Sequence, residues 1–354
     1  MNRLQRTSLL TASSLALLGL ACRASEPPRV DADPAWLAFT PEHWLPGPRG
    51  TTPTHTEARA ALERRCGECH VDEAHDWSTS QHASAWSSDA FTRAFAAEPR
   101  RFCRDCHAPE GEALEAVGVG CVTCHVEPGE ARIWTAGDSL EPARPRGCAL
   151  PIARSPAFAG TDACAACHEF PFPDAPLRRE ALLMQSTISE HRESSASTRA
   201  CADCHMPPER GHAFPGAYDP AMLRRALRID ARREGDAIVI TLHPADVGHA
   251  VPTGDLFRRL EVSLIEDDGE GHERVLAQRW LGRRFGPRRD GALTLTAELE
   301  DTRVGPAGRT LRFPVPTGAS ALRWRVVHQR VLHAGSDPRR VAIEGQLELA
   351  SGEL

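Results

Sequence analysis

Five times in this chain two cysteines stand three positions apart, with a histidine immediately after the second. The pairs are Cys66/Cys69, Cys103/Cys106, Cys121/Cys124, Cys164/Cys167 and Cys201/Cys204, followed by His70, His107, His125, His168 and His205. Covalent haem attachment accounts for this order. Each thiol adds across a haem vinyl group to form a thioether. Two intervening residues let both cysteines reach one porphyrin from a single turn of chain. The adjacent histidine then lies under the iron as its proximal ligand. Disulfide redox motifs, zinc ribbons and structural disulfides also use paired cysteines, but none requires histidine at the next position. Histidine is 16 of 354 residues, so five chance placements would all succeed only about twice in ten million. The sequence therefore predicts five covalent haem c groups.

The sixth iron position is read from supply. After the leader, methionine is limited to Met184, Met206 and Met222, and Met206 directly follows His205, where it is badly placed to reach over the same haem. Histidine is plentiful, so iron with imidazole on both sides is the expectation. It carries a lower potential than His/Met ligation and leaves no open site for substrate. Cys148 belongs to no pair. It reads as a buried thiol, with sulfur ligation of iron as the sharper alternative.

Net charge is −6, which argues against a polyanion-binding surface and against nucleic acid as a partner. Hydrophobic residues are 41% and aromatic residues 5% of the chain. A core this thin needs other apolar material to close it, and cofactors would serve. Residues 1–21 read as an export signal, with Arg3 and Arg6 ahead of the apolar run Leu9 to Leu20. That run is short for a membrane span, and no later stretch is long and apolar enough. The segment Leu18-Gly19-Leu20-Ala21-Cys22 resembles a bacterial lipobox, which would place a lipid on Cys22. Gly19 and Ala21 also fit ordinary signal cleavage. An unpaired Cys22 in an oxidising compartment would be a liability, and this tilts the reading towards a lipoprotein. The expected location is outside the cytoplasm, in the periplasm or on the outer membrane or cell surface.

The elements that must position these groups fall into two parts. Residues 22–60 are rich in Pro, Gly and Thr and read as a tether. Residues 61–226 hold every cysteine pair, with short helical pieces broken by Pro and Gly; the segment from Arg178 to His191 is the best helix candidate. From Leu227 cysteine disappears and period-two alternation begins, as in Ala237-Ile-Val-Ile-Thr-Leu and Leu322-Arg-Trp-Arg-Val-Val. Turn residues separate such runs, the pattern of an antiparallel β-sandwich of about seven strands over 227–354. The expected fold class is α+β multidomain: an irregular, mostly helical multihaem domain followed by an antiparallel β-sandwich.

The run CGECHVDEAHDWSTSQHASAW resembles the CxxCH…WxxSxH opening of the multihaem cytochrome c family, which includes cytochrome c-554, the tetrahaem acceptor of hydroxylamine oxidoreductase. GVGCVTCH, CADCHMP and RGHAFPGAYDPAML resemble later haem segments. GHAVPTGD is similar to a segment of members that carry a C-terminal sandwich. The resemblance runs over about residues 61 to 354 and implies His82, His212 and His249 as distal iron ligands. It leaves His191 open, since an aromatic is expected there, and makes His75 more plausibly exposed. His43, His55, His243, His272, His328 and His333 read as solvated or structural. The resemblance implies an electron carrier working with redox partner proteins. The alternative is a multihaem oxidoreductase of small nitrogen or sulfur compounds with one five-coordinate haem. Against it, none of the five motifs carries lysine in place of histidine, and nothing marks Tyr218, the sole tyrosine, as a crosslinking residue. A third reading makes the β-region a binding module, which fold alone does not decide.

Overall fold

The computed structural model describes residues 56–127, 132–137, 150–173, 182–267, 272–319, 321–332 and 337–354. Cys22, Cys148, His43, His55, His333 and the expected signal segment lie outside these residues.

The first half is built from short helices. They are α1 (Thr56–Cys69), α2 (Val71–Ser78), α3 (Asp89–Ala97), α4 (Arg101–His107), α5 (Cys121–His125), α6 (Pro156–Ala159), α7 (Asp162–His168), α8 (Thr187–Arg192), α9 (Ala202–His205) and α10 (Pro220–Arg225). Two small strand pairs interrupt them: β1 (Ile133–Ala136) runs parallel to β2 (Ile152–Ser155), and β3 (Glu169–Pro171) runs antiparallel to β4 (Leu183–Ser186). Every cysteine motif falls on the last turn of a helix or spans one, in α1, α4, α5, α7 and α9. A helical turn brings positions three apart onto one face, so both thiols of each pair point the same way. The buried large apolar residues of this half are only Leu114, Val122, Val126, Trp134 and Ile188.

Two expectations are revised here. The segment from Arg178 to His191 is not one helix. Leu183–Ser186 is strand β4, held by pairing with β3, and only Thr187–Arg192 is helical within the described residues. Tertiary pairing overrides the helical preference of Leu, Met and Gln. The helix α1 begins at Thr56, inside the span expected to be a tether. Its Ala, Glu, Arg and Leu content favours a helix once tertiary contacts hold it.

Those contacts are polar. Arg59 forms a two-pronged pair with Glu110, 2.9 Å at its second contact, and also donates to the carbonyl of Val122 at 2.7 Å. Glu63 accepts from the backbone N–H of Cys121 at 3.0 Å and of Val122 at 2.8 Å, capping α5. So the first motif helix grips the third. The Arg59 and Glu110 side chains are 10% and 6% exposed. Arg59→Ala would strand a buried carboxylate and is expected to cost about 3 kcal/mol. Chemical denaturation of the holoprotein measures this, and a loss below the size of a surface pair would refute the clamp.

The second half is two sheets around one core. β5 (Leu227–Glu234), β6 (Ala237–Pro244) and β11 (Arg309–Pro314) form a three-stranded sheet with β6 central. β7 (Arg258–Asp267), β8 (Glu273–Leu281), β12 (Leu322–Val331) and β13 (Ile343–Glu353) form a four-stranded sheet in the order β13-β12-β7-β8. β9 (Arg283–Asp290) and β10 (Leu293–Asp301) make a separate antiparallel ribbon. Ile238, Ile240, Leu242 and Phe313 of the first sheet share a core with Leu260, Val262, Leu264, Leu322 and Val326 of the second. Alternation puts these residues on one face of each strand. β8 and β9 were not anticipated, because Arg and other polar residues interrupt their alternation, and β10 was not anticipated although Leu293 to Glu300 alternates. Arg283 donates to the carbonyls of Leu183 and Met184, and Arg93 of α3 reaches Glu344 of β13, so both ends of the sheet half are tied to the helical half.

Candidate functional site

Three of the five motif histidines are held by the backbone around them. His107 Nδ1 lies 2.8 Å from the Ala85 carbonyl, His125 Nδ1 2.8 Å from that of Trp134, and His205 Nδ1 2.6 Å from that of Pro215. A ring that donates through Nδ1 to a carbonyl presents Nε2 as an unprotonated donor atom, the arrangement of a metal-ligating histidine. The Gln185 amide contacts His168 Nδ1 at 3.2 Å. His70 differs, being largely exposed with Glu73 nearby at 3.9 Å.

The three non-motif histidines singled out from the sequence each face a motif histidine. Ring centroids are 6.2 Å apart for His82 and His168, 6.3 Å for His125 and His212, and 6.3 Å for His205 and His249. An imidazole nitrogen lies about 2.0 Å from a bound metal ion and about 1.15 Å from its ring centre, so two imidazoles across one iron have centroids about 6.3 Å apart. Among the described residues no three His, Cys, Asp or Glu side chains converge as a bare-metal site requires. A porphyrin supplies four ligands itself, so a facing imidazole pair is all that the protein must add. His168 lies deep in the protein, yet its surface is not covered by packed side chains, as a ring facing a bound group requires.

Burial keeps these rings neutral. It lowers His82 to about 4 and His168 to about 3, with neighbouring imidazoles adding to the shift. His107, His125 and His249 are also lowered, chiefly by burial. Neutral imidazole is the form that binds metal.

Local structure explains each placement. His82 closes the loop after α2, and its carbonyl accepts from Val119 N at 3.0 Å, while Trp77 Nε1 donates to the Val119 carbonyl at 2.8 Å. Gly118 has φ +70°, and a Cβ there would stand 2.4 Å from the His82 carbonyl oxygen, so glycine is required. The segment from Arg210 to Gly216 serves three sites. It carries His212, anchors His205 through Pro215, and wedges Phe214 against both His82 at 4.5 Å and His212 at 5.9 Å. His249 comes from the loop between β6 and β7, with Nδ1 3.0 Å from the Ala250 carbonyl.

The motifs also touch one another. Cys66 lies beside Cys121, Cys106 beside Cys167, and Cys164 beside Cys201. The last contact lowers Cys201 to about 7. These contacts join the first motif to the third, the second to the fourth and the fourth to the fifth. None of the ten motif cysteines forms a disulfide.

The remaining thiols depart from the pattern of their motif partners. Cys124, on α5, is half-buried and links the third motif to the fourth: its thiolate would push both Cys164 and Cys167 up. Its backbone N–H donates to the Gly120 carbonyl at 3.4 Å, a long bond for the single turn that carries it. Cys204, on α9, is half-buried too, its backbone N–H donating to the Cys201 carbonyl at 3.2 Å. Cys69 is exposed, and burial pushes the Cys103 thiol up. The expected thioethers of Cys124 and Cys204 belong to the proposal below.

Other histidines take different places. His191 is buried against Gly248 and faces no motif histidine. His75 is exposed. His328 is buried in β12, where burial lowers it to about 4, so it is structural rather than solvated. Reading the sequence missed Glu190 of α8, which ties the His249 loop to the helical half, and Phe214. Neither has a motif of its own.

These elements and ring pairs define a multihaem cytochrome-like fold, α+β, with helices and several antiparallel sheets. A solved structure shares it: the chain is similar to a penta-heme cytochrome c552 from Thermochromatium tepidum, with a TM-score of 0.61 and 21% identity over 82% of this chain and 97% of that one. A superoxide reductase from Nanoarchaeum equitans aligns at a TM-score of only 0.21, with 12% identity over 39% of this chain and 95% of that one, too low to bear on the fold. No family model matches the sequence, and no curated protein matches it. Among the described residues no helix is long and apolar enough to cross a membrane.

Proposed function

We propose that this chain is an exported electron-transfer protein carrying five covalent haems c, attached at the ten motif cysteines, Cys124 and Cys204 included, with His70, His107, His125, His168 and His205 as proximal ligands. The observation that carries the reading is the spacing of 6.2 to 6.3 Å between three motif histidines and three histidines outside the motifs. His82 then serves the iron of His168, His212 that of His125, and His249 that of His205. Haem bound this way supplies reversible one-electron chemistry at low potential. Burial keeps His82, His107, His125, His168 and His249 neutral, and the short helices bring the motifs close together. We read residues 61–226 as the haem domain, 227–354 as a β-sandwich docked onto it through His249, 1–21 as a signal peptide and 22–60 as a tether. A lipid on Cys22 would hold the protein at a membrane, with redox proteins as partners. The mass of the mature protein tests this: five added porphyrins are expected, and zinc or oxidised thiols in their place would end the reading.

Ring planes supply a second test. Parallel imidazoles on low-spin iron give a rhombic electron paramagnetic resonance signal, and crossed ones give a strongly anisotropic signal. The planes of His205 and His249 differ by 13°, those of His125 and His212 by 40°, and those of His82 and His168 by 68°. Three distinct low-spin signals, one rhombic and one strongly anisotropic, are expected. Identical signals from all three would break the pairing.

A second reading, an oxidoreductase with one five-coordinate iron, is favoured by one observation. The face of His107 packs on Phe91 at 4.1 Å and not on a histidine ring. A high-spin iron that binds carbon monoxide or cyanide in the unmodified protein would support it.

A further inference from the structure

Glu190 lies on α8 and spends both carboxylate oxygens on the boundary between the halves. Oε2 accepts from Thr253 Oγ1 at 2.6 Å and from the Ala250 backbone N–H at 3.3 Å. Oε1 accepts from the Arg303 guanidinium at 2.6 Å and from Ser186 Oγ at 2.7 Å. Ala250 directly follows His249 and Thr253 lies three residues further on, and the Ala250 carbonyl is the one that His249 Nδ1 meets. One carboxylate therefore holds the stretch of backbone that leaves the ligand from the helical half. Its side chain is 12% exposed and that of Arg303 8%, so water competes little for these bonds.

We propose that Glu190 is the positioning residue for His249, setting the plane of that imidazole against His205. The proposal rests on the haem reading above. The His249 ring is steered by its Nδ1 contact to the Ala250 carbonyl, so its plane follows the Ala250 peptide whose N–H Glu190 holds. Charge on Glu190 is matched by Arg303, so its role is orientation rather than charge supply. Glutamine cannot replace it cleanly. All four partners present donors, although Ser186 and Thr253 can rotate, and whichever way the amide lies its NH2 group opposes either Arg303 or the Ala250 N–H.

The test uses the mature holoprotein of wild type, Glu190→Ala and Glu190→Gln. The rhombic low-spin signal is expected to shift, or to give way to one high-spin iron that binds carbon monoxide. The effect is larger in the alanine variant than in the glutamine variant. Porphyrin content and the other low-spin signals stay as in wild type. An unchanged rhombic signal in a fully loaded Glu190→Ala protein overturns the proposal and leaves Glu190 a plain tie between halves. A mass spectrum without porphyrin in the wild type strikes instead at the haem reading. Should Glu190→Ala fail to mature, Thr253→Val removes a single hydroxyl from the same carboxylate. A shift of the same signal there supports the proposal, and an unmoved signal overturns it.

Discussion

Full-length protein made without haem attachment is expected to lose nearly all of its helical half while the β half stays folded. The two halves close by different means. The sheets bury a continuous apolar cluster that runs from Leu227 through Ile240, Leu260 and Val326 to Leu349. At about 25 cal/mol for each Å² of apolar surface removed from water, such a cluster supports a domain of this size. The helical half buries one small cluster, Leu114, Val122 and Val126, with mostly alanine elsewhere. Helices of four to nine residues such as α6, α9 and α3 are marginal on their own. Porphyrin rings are the apolar material that would complete this half, so binding and folding are one process there. Circular dichroism of the unloaded chain should show strand without helix. Limited proteolysis should trim it to a fragment beginning near Leu227. A protease-resistant helical half without porphyrin would refute the argument.

Much of this was legible in the sequence, for identifiable reasons. The motif cysteines and histidines carry their chemistry in five adjacent positions, so spacing alone exposes them. The different surroundings of like thiols, such as Cys124 against the fourth motif and the exposed Cys69, are set by packing between helices and leave no mark on that spacing. Leu227, Ala237 and Leu322 open runs in which alternation is nearly unbroken, and strands begin at these residues. In the ribbon, β9 carries Arg at half of its positions and no apolar alternation, whereas the alternation of β10, Leu293-Thr-Leu-Thr-Ala-Glu-Leu, was there to be read; Arg283 with Glu298 and Arg284 with Glu300 pair across the two strands. Which non-motif histidine faces which motif was out of reach, since the partners are separated by 86 positions for His82 and His168 and joined only by the fold. Glu190 was invisible for the same reason: its partners Thr253 and Arg303 lie 63 and 113 positions away.

His82→Ala is expected to convert one iron from low-spin to high-spin and to add one carbon monoxide binding site to whatever the parent shows. The ring of His82 lies 6.2 Å from His168 and packs edge-on to Phe214 at 4.5 Å. Its loop is fixed independently of the ring, because Ala83 N donates to Ser80 Oγ at 3.2 Å and Val119 N to the His82 carbonyl at 3.0 Å. Alanine therefore removes the ligand without releasing the backbone. Among the described residues His82 is the ring paired with His168 at ligand spacing. Loss of a donor ligand shifts the iron's potential upward, and Cys164 and Cys167 lie near cysteines of the second, third and fifth motifs. Electron passage through the array should then slow at its middle, not at an end. Porphyrin content should be unchanged, because the thioethers and His168 remain. A spectrum identical to the parent, with no additional carbon monoxide bound, would remove His82 from the ligand set and with it its pairing with His168.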